Sequence, residues 1–384
     1  MTQPNEKITC QICGAKAHVM KKHLEDAHPE ITIEKYRADY PDAPLFSELA
    51  KKRWLELQAK RNEVTEQDEQ AREKARKEGF DLVPFNEVFG IPDGASKSGR
   101  PIMLKVSNRG EFSDMVPAQD PNYIFDIGML KAVCMGLELN IPTYLWGHTG
   151  TGKTTMLEQV LHHLKLPMLR IQHTINTEEC QIVGQLQANE QGTYFAPGPL
   201  ALAMRNGWTY LADEYDAAMP AVLLAYQPVL EGKPLVIKDA DEEWRVINPH
   251  PNFRFLATGN TNGSGDETGL YAGTQIQNAA NYSRFGIVEN VPYMPASQEK
   301  ALLISKCHIE PDDADKLVRF ANDVRRDFAE SAGSNPIGQR ELIFAGMIGI
   351  RRGDFHLGLR QAFINKLPET SRVTCDNYAQ RLFG

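Results

Sequence analysis

The chain changes character several times along its 384 residues. From about 45 to 79, Lys, Arg, Glu, Gln and Ala dominate, Pro is missing, and the first Gly is Gly79. No apolar heptad persists there, so the pattern predicts a solvated helical connector rather than a coiled coil. From about 86 the texture is mixed. Short apolar runs at 143–146, 168–171, 209–212 and 254–257 alternate with helical patterns, which predicts a parallel sheet covered by helices on both faces. Beyond about 296 the strand signals fade. The segments 297–307, 312–331, 339–350 and 357–367 read as helices, so a smaller helical domain is expected to close the chain. The expected division is a metal-binding segment over 1–32, a charged connector over 33–85, an α/β domain over 86–295 and a helical domain over 296–384.

Composition supports a folded chain and narrows its class. Hydrophobic residues make up 42% and charged residues 24%, enough apolar material for a sizeable core. The net charge of −8 argues against a surface that grips nucleic acid everywhere, though not against a local basic patch. No apolar stretch approaches the ~20 residues that cross a bilayer. No apolar segment follows the polar start Met1-Thr2-Gln3-Pro4, so no secretory signal is expected. Of the six cysteines only Cys10 and Cys13 are close together. Cys134, Cys180, Cys307 and Cys375 read as scattered reduced thiols of a cytoplasmic protein.

The strongest chemical signal is a glycine-rich turn between an apolar strand and an amphipathic helix. Gly147, His148, Thr149, Gly150, Thr151, Gly152, Lys153, Thr154 and Thr155 follow the P-loop pattern of Gly, four residues, Gly-Lys and Ser/Thr. Glycines let the backbone curl until its N–H groups face a phosphate, and the helix N-terminus adds its dipole. Lys153 then reaches the β- and γ-phosphates of ATP, and the Thr154 hydroxyl binds Mg²⁺. About sixty residues later a strand ends in Asp213-Glu214. Strand ends at that edge of an open α/β sheet face the ligand. Asp213 is expected to hold magnesium and Glu214 to polarise the attacking water. Asp216, two residues on, receives no role from the pattern. A third strand ends in Gly259-Asn260, where an amide can orient that water. By composition alone an Asn-rich turn is the alternative.

These motifs occur in a recognisable order: P-loop, Asp-Glu strand, Asn-ended strand, Ser283-Arg284-Phe285 and Gly338-Gln339-Arg340. That order resembles AAA+ ATPases of the MoxR class, and within it the ATPase subunit of aerobic cobaltochelatase. Further matching stretches lie at 88–91, 121–126, 213–217, 248–251, 265–271 and 381–384, so the resemblance covers roughly 86–384. It implies a hexameric ring with ATP at the subunit interfaces. Arg284 matches the arginine finger that reaches a neighbour's γ-phosphate, Asn260 matches sensor 1 and Arg340 sensor 2. The family commonly has Asp before the finger; this chain has Ser283. The segment 235–247 reads as a hairpin inserted before the Asn-ended strand. In this family such an insert faces the pore or a partner.

A second chemical signal stands at the N-terminus. Cys10 and Cys13 are followed after nine residues by His23 and after four more by His28, a spacing that suits a Cys₂His₂ zinc site. So short a segment has little core and needs a staple. His18 is an alternative ligand. The gap and the neighbouring 31–36 segment resemble the bacterial Ros/MucR zinc finger, whose task would be DNA contact or protein docking.

Three functions share this chemistry. One is an ATP-driven remodeller or activator of a partner protein, which in this family carries a von Willebrand-type domain. The second is the ATPase subunit of a cobaltochelatase, driving metal insertion into a corrin ring. The third is a DNA-associated ATPase that binds through the finger.

Overall fold

The computed structural model describes residues 7–41, 43–91, 101–190, 192–266, 268–331 and 335–384. Glu267, inside the 265–271 motif, lies outside them. Two compact units are present, Met1–Glu78 and Gly79–Gly384.

The first unit holds a two-stranded hairpin, β1 (Ile8–Thr9) with β2 (Lys16–Ala17), then α1 (Met20–Ala27), α2 (Ile33–Asp39) and the long α3 (Glu48–Lys77). Its small core is Cys10, Met20, Leu24 and Tyr36, edged by Ile8, Ile31, Ile33, Ala43 and Leu45. Segment 33–47, which the polar pattern assigned to the connector, is thus part of this core. Thr32 caps α2 by accepting from Lys35 N–H, and the Met20 N–H donates to the Leu45 carbonyl. The uninterrupted helix begins only at Glu48, where the Ser47 hydroxyl accepts from Ala50 N–H.

The second unit opens with the antiparallel pair β3 (Phe80–Pro84) and β4 (Met103–Ser107), with α4 (Phe85–Phe89) between them. A five-stranded, wholly parallel sheet follows, built from β5 (Thr143–Trp146), β6 (Met168–Gln172), β9 (Thr209–Asp213), β12 (Arg254–Gly259) and β13 (Ile287–Asn290). Its order is β13-β5-β12-β9-β6. The strands are apolar runs because both faces are covered. Tyr144, Tyr210 and Phe255 point into one core, and Leu145, Leu211 and Leu256 into the other. Each fully buried side chain of this size contributes roughly 1.5–3 kcal/mol relative to exposure.

The helices α5 (Ile127–Leu139) and α6 (Lys153–His163) supply the second face, and α8 (Pro199–Asn206) the first. Ahead of α8, α7 (Glu179–Val183) leads into the hairpin of β7 (Gly184–Asn189) and β8 (Gly192–Pro197). The sequence reading missed this hairpin, whose Leu186 and Tyr194 are exposed and whose polar residues give no clear alternation. Past the short helices α9 (Pro220–Leu223) and α10 (Gln227–Leu230), β10 (Leu235–Val236) pairs antiparallel with β11 (Val246–Ile247), which α11 (Glu242–Arg245) precedes. This pair stands within the segment expected to form a hairpin. A further short helix, α12 (Ala279–Tyr282), precedes β13.

Five helices then pack on a separate core: α13 (Ala296–Cys307), α14 (Pro311–Ser331), α15 (Gln339–Arg352), α16 (Phe355–Ala362) and α17 (Glu369–Phe383). Among the described residues no helix is long and apolar enough to cross a membrane.

Candidate functional site

Parallel register brings the chemical residues to one edge. Gln172 pairs with Asp213, and Trp146 stands level with Gly259 and Asn290. The turns that leave β5, β9 and β12 therefore emerge side by side at the carboxyl ends of the strands, where α/β sheets bind ligands. They line a cleft of about 430 Å³ with Gly150, Gly152, Lys153, Thr154, Thr155, Asp213, Glu214, Asn260 and Arg340.

The turn after β5 is held open by glycine. Gly147, Gly150 and Gly152 have φ of 147°, 80° and 88°, the left-handed region that residues with a Cβ avoid. At Gly150 there is also no space: a Cβ would stand 2.9 Å from the Gly338 Cα. Gly338 caps α15, and the next amide, Gln339 N–H, donates to the Gly150 carbonyl at 3.1 Å. Arg340 follows at the start of α15 and lines the cleft.

Lys153 is 9% exposed. Its ammonium donates to the carbonyls of Gly147 (2.7 Å) and His148 (3.0 Å) and to Asn260 Oδ1 (3.1 Å). Burial pushes its pKa down to about 8, against the opposing pull of Asp216, Asp213 and Glu214. A desolvated cation whose hydrogen-bond partners are all uncharged oxygens favours an incoming anion, and phosphate fits.

Asp213 is buried and accepts on both oxygens. Thr154 Oγ1 donates to Oδ1 at 2.8 Å, Thr258 Oγ1 donates to the same oxygen, and Arg170 donates to Oδ2, its Nε at 2.9 Å. Thr154 and Asp213, the expected magnesium ligands, are therefore adjacent. Glu214 has φ 51° and ψ 41°, an uncommon conformation outside glycine. Its N–H donates to Thr258 Oγ1 (3.2 Å) and its Oε2 accepts from Gln172 Nε2 (2.9 Å). The left-handed turn carries this carboxylate to the cleft just beyond the strand end.

Several of these partners escaped the sequence reading. Arg170, Gln172 and Thr258 carry no motif of their own, and only the strand pairing places them beside Asp213 and Glu214. Tyr271 closes the matching 265–271 stretch but received no role from it: its hydroxyl accepts from Thr149 N–H (3.1 Å) and bonds His148 Nδ1 (2.8 Å). The His148 ring also stacks on Tyr293, which lies under the Arg325 guanidinium. Burial, then Lys153, lowers the His148 pKa.

Arg284 is not among the residues lining this cleft. It donates through Nε to Glu231 Oε1 at 2.7 Å and through Nη1 to the Ala280 carbonyl. Lys233 and Arg284 hold the Glu231 carboxyl below its usual range.

In the first unit Cys10, Cys13, His23 and His28 converge, with their ligand atoms all within 4.8 Å of one another. Tetrahedral bonds of about 2.0–2.3 Å put such atoms roughly 3–4 Å apart. Cys13 Sγ lies 3.3 Å from His23 Nε2. His28 Nε2 is buried with no hydrogen-bond partner, and buried polar atoms of this kind ordinarily have one. His18, the alternative ligand, instead bonds Ser47 Oγ at 2.9 Å. Among the described residues this is the one Cys/His/carboxylate cluster arranged to hold a metal.

Comparison with known proteins agrees with this geometry. The model of the AAA domain, dynein-related subfamily, matches residues 142–275. The aerobic cobaltochelatase subunit CobS of Sinorhizobium sp is 33% identical over 312 residues, covering 79% of this chain and 90% of that protein. Midasin of Dictyostelium discoideum is 29% identical over 210 residues, 54% of this chain and 3% of that protein. A Thermotoga maritima RuvB mutant matches structurally with TM-score 0.37 and 15% identity, covering 60% of this chain and 71% of the other.

Proposed function

Because the chain belongs to the AAA+ ATPases of the CobS family and so hydrolyses ATP, we propose that it does so at the subunit interfaces of a ring, to remodel or activate a partner protein. The observation that carries the ring is the position of Arg284. The cleft has Lys153, Asp213, Glu214, Asn260 and Arg340 of its own, whereas Arg284 faces Glu231. A second copy of the chain would supply the missing cation.

In this reading the 147–155 turn and Lys153 bind the phosphates and hold their charge. Thr154 and Asp213 hold magnesium, which neutralises phosphate charge when bound. Glu214 takes the proton of the attacking water, Asn260 orients that water, and Arg340 senses the nucleotide from α15. Arg284 stabilises transition-state charge on the neighbour's γ-phosphate, an effect of about 10³–10⁵ in rate. Arg284→Ala chains and Lys153→Ala chains are each expected to be inactive alone. Mixed, they should regain turnover, because some interfaces then pair an intact cleft with an intact finger. Steady-state phosphate release measures this; a mixture as silent as its components rules out action in trans.

The identity over nine-tenths of CobS favours one more specific reading, a chelatase subunit whose ATP turnover drives metal insertion into a corrin. Cobalt incorporation assayed with the partner subunits separates it from remodelling of an unrelated client, for which a protein with a von Willebrand-type domain is the first candidate.

For the first unit, we propose a zinc finger with Cys10, Cys13, His23 and His28 as ligands. The supporting features are the convergence of the four ligand atoms within 4.8 Å and the buried His28 Nε2 with no hydrogen-bond partner. Metal analysis of the full chain should give one zinc per chain, falling to none in Cys13→Ser. A parent chain purified without stoichiometric zinc would remove this assignment.

A further inference from the structure

Asp216 is wholly buried, yet no motif gave it a task. It sits in the turn after β9 and reaches across to the turn after β12. Its Oδ2 accepts three bonds, from Asn260 N–H (2.9 Å), Thr261 N–H (2.8 Å) and Thr261 Oγ1 (2.9 Å). Its Oδ1 has no partner. Its carbonyl accepts Gln275 N–H at 2.7 Å, which anchors the loop that brings Tyr271 to Thr149. One residue thus ties together the turns carrying Glu214 and Asn260 and the loop resting on the P-loop.

We propose that Asp216 is a positioning residue for ATP hydrolysis: its carboxylate clamps the 260–261 backbone and so fixes where the Asn260 amide meets Lys153 and the reacting phosphate.

The surroundings support a rigid clamp. Tyr144 Oη donates to the Thr261 carbonyl at 2.8 Å, pinning the same turn from its other side. At Gly259, just before Asn260, an added Cβ would stand 1.8 Å from the Tyr144 hydroxyl and 2.9 Å from Asp216 Cγ. The backbone therefore has no slack between these two side chains. Asn260 Oδ1, 3.1 Å from Lys153 Nζ, inherits that fixed origin. A buried carboxylate is costly even when bonded, and here one oxygen goes unpaired. Burial accordingly raises the Asp216 pKa, while the Thr261 and Asn260 donors pull it back. Asp216 is also the foremost charge supporting the Lys153 ammonium.

The inference rests on the role proposed for Asn260, so the experiment includes that residue. In Asp216→Ala, kcat for ATP should fall roughly 10–100-fold, the scale of a displaced reacting geometry. KM and fluorescent-nucleotide affinity should stay within about threefold of the parent, the split expected when a transition-state contact is lost. Asp216→Asn keeps one acceptor oxygen and should recover part of the loss. Thr261→Val, which removes one donor and little volume, should lower kcat by a smaller factor and serves if the alanine variant does not fold. The inference is overturned if Asp216→Ala or Thr261→Val turns over like the parent while Asn260→Ala is slow. It is also overturned if nucleotide affinity and kcat collapse together in Thr261→Val. Parent-like turnover in Asn260→Ala would instead sink the reading of Asn260 and, with it, this route from Asp216.

Discussion

Lys153→Ala should leave the chain folded and bring ATP turnover to background, a loss of at least about 10²-fold for removing one preorganised phosphate donor. The side chain is nearly buried, but its partners are two backbone carbonyls and one amide oxygen, which water can satisfy in the opened cleft. Removing a desolvated cation also relieves a cost that the apo protein carries, visible in a pKa pushed down to about 8. Melting temperature should therefore hold or rise slightly while nucleotide affinity drops. Phosphate release within about threefold of the parent, on a scale where tenfold is 1.4 kcal/mol, would show that the 147–155 turn does not cradle the transferred phosphate.

Glu214→Gln should behave in the opposite way toward binding: ATP stays and hydrolysis stops. Glutamine has the same size, the left-handed backbone at 214 is retained, and its amide can still meet Gln172, now 2.9 Å from Oε2. What disappears is the proton acceptor, a contribution of about 10²–10⁴ in rate. Gel filtration after incubation should recover intact ATP with the protein. Recovered ADP and normal turnover would take Glu214 out of the role of base. The same variant, held in ATP, is the appropriate bait for a client, because a remodeller pauses on its partner when the chemical step is blocked.

Much of the site could be read from the sequence, because phosphate chemistry is written locally. A glycine-rich turn needs consecutive positions, and Lys153 and Thr154 follow it directly. Asp213 and Glu214 were legible because a short apolar run ends on them. The missing parts are of another kind. Thr258 touches Asp213 across 45 residues of chain, and Arg170 across 43; nothing in their own neighbourhoods marks either. Asp216 acts through backbone amides, which carry no signature. In the fold, the strands at 143–146 and 209–212 stood out as buried runs. β13 did not, since Glu289 and Asn290 end a four-residue strand. The 33–47 segment read as polar because its contribution to the small core is few in number, chiefly Tyr36 with Ile33, Ala43 and Leu45.

The meeting of Gly150 with Gly338 has a mechanical consequence. Two backbones in direct contact, with a hydrogen bond from Gln339 N–H to the Gly150 carbonyl, leave no side chain to act as a cushion. A change in the curl of the phosphate turn would therefore press first on the N-terminus of α15, where Gly338 and Gln339 meet Gly150.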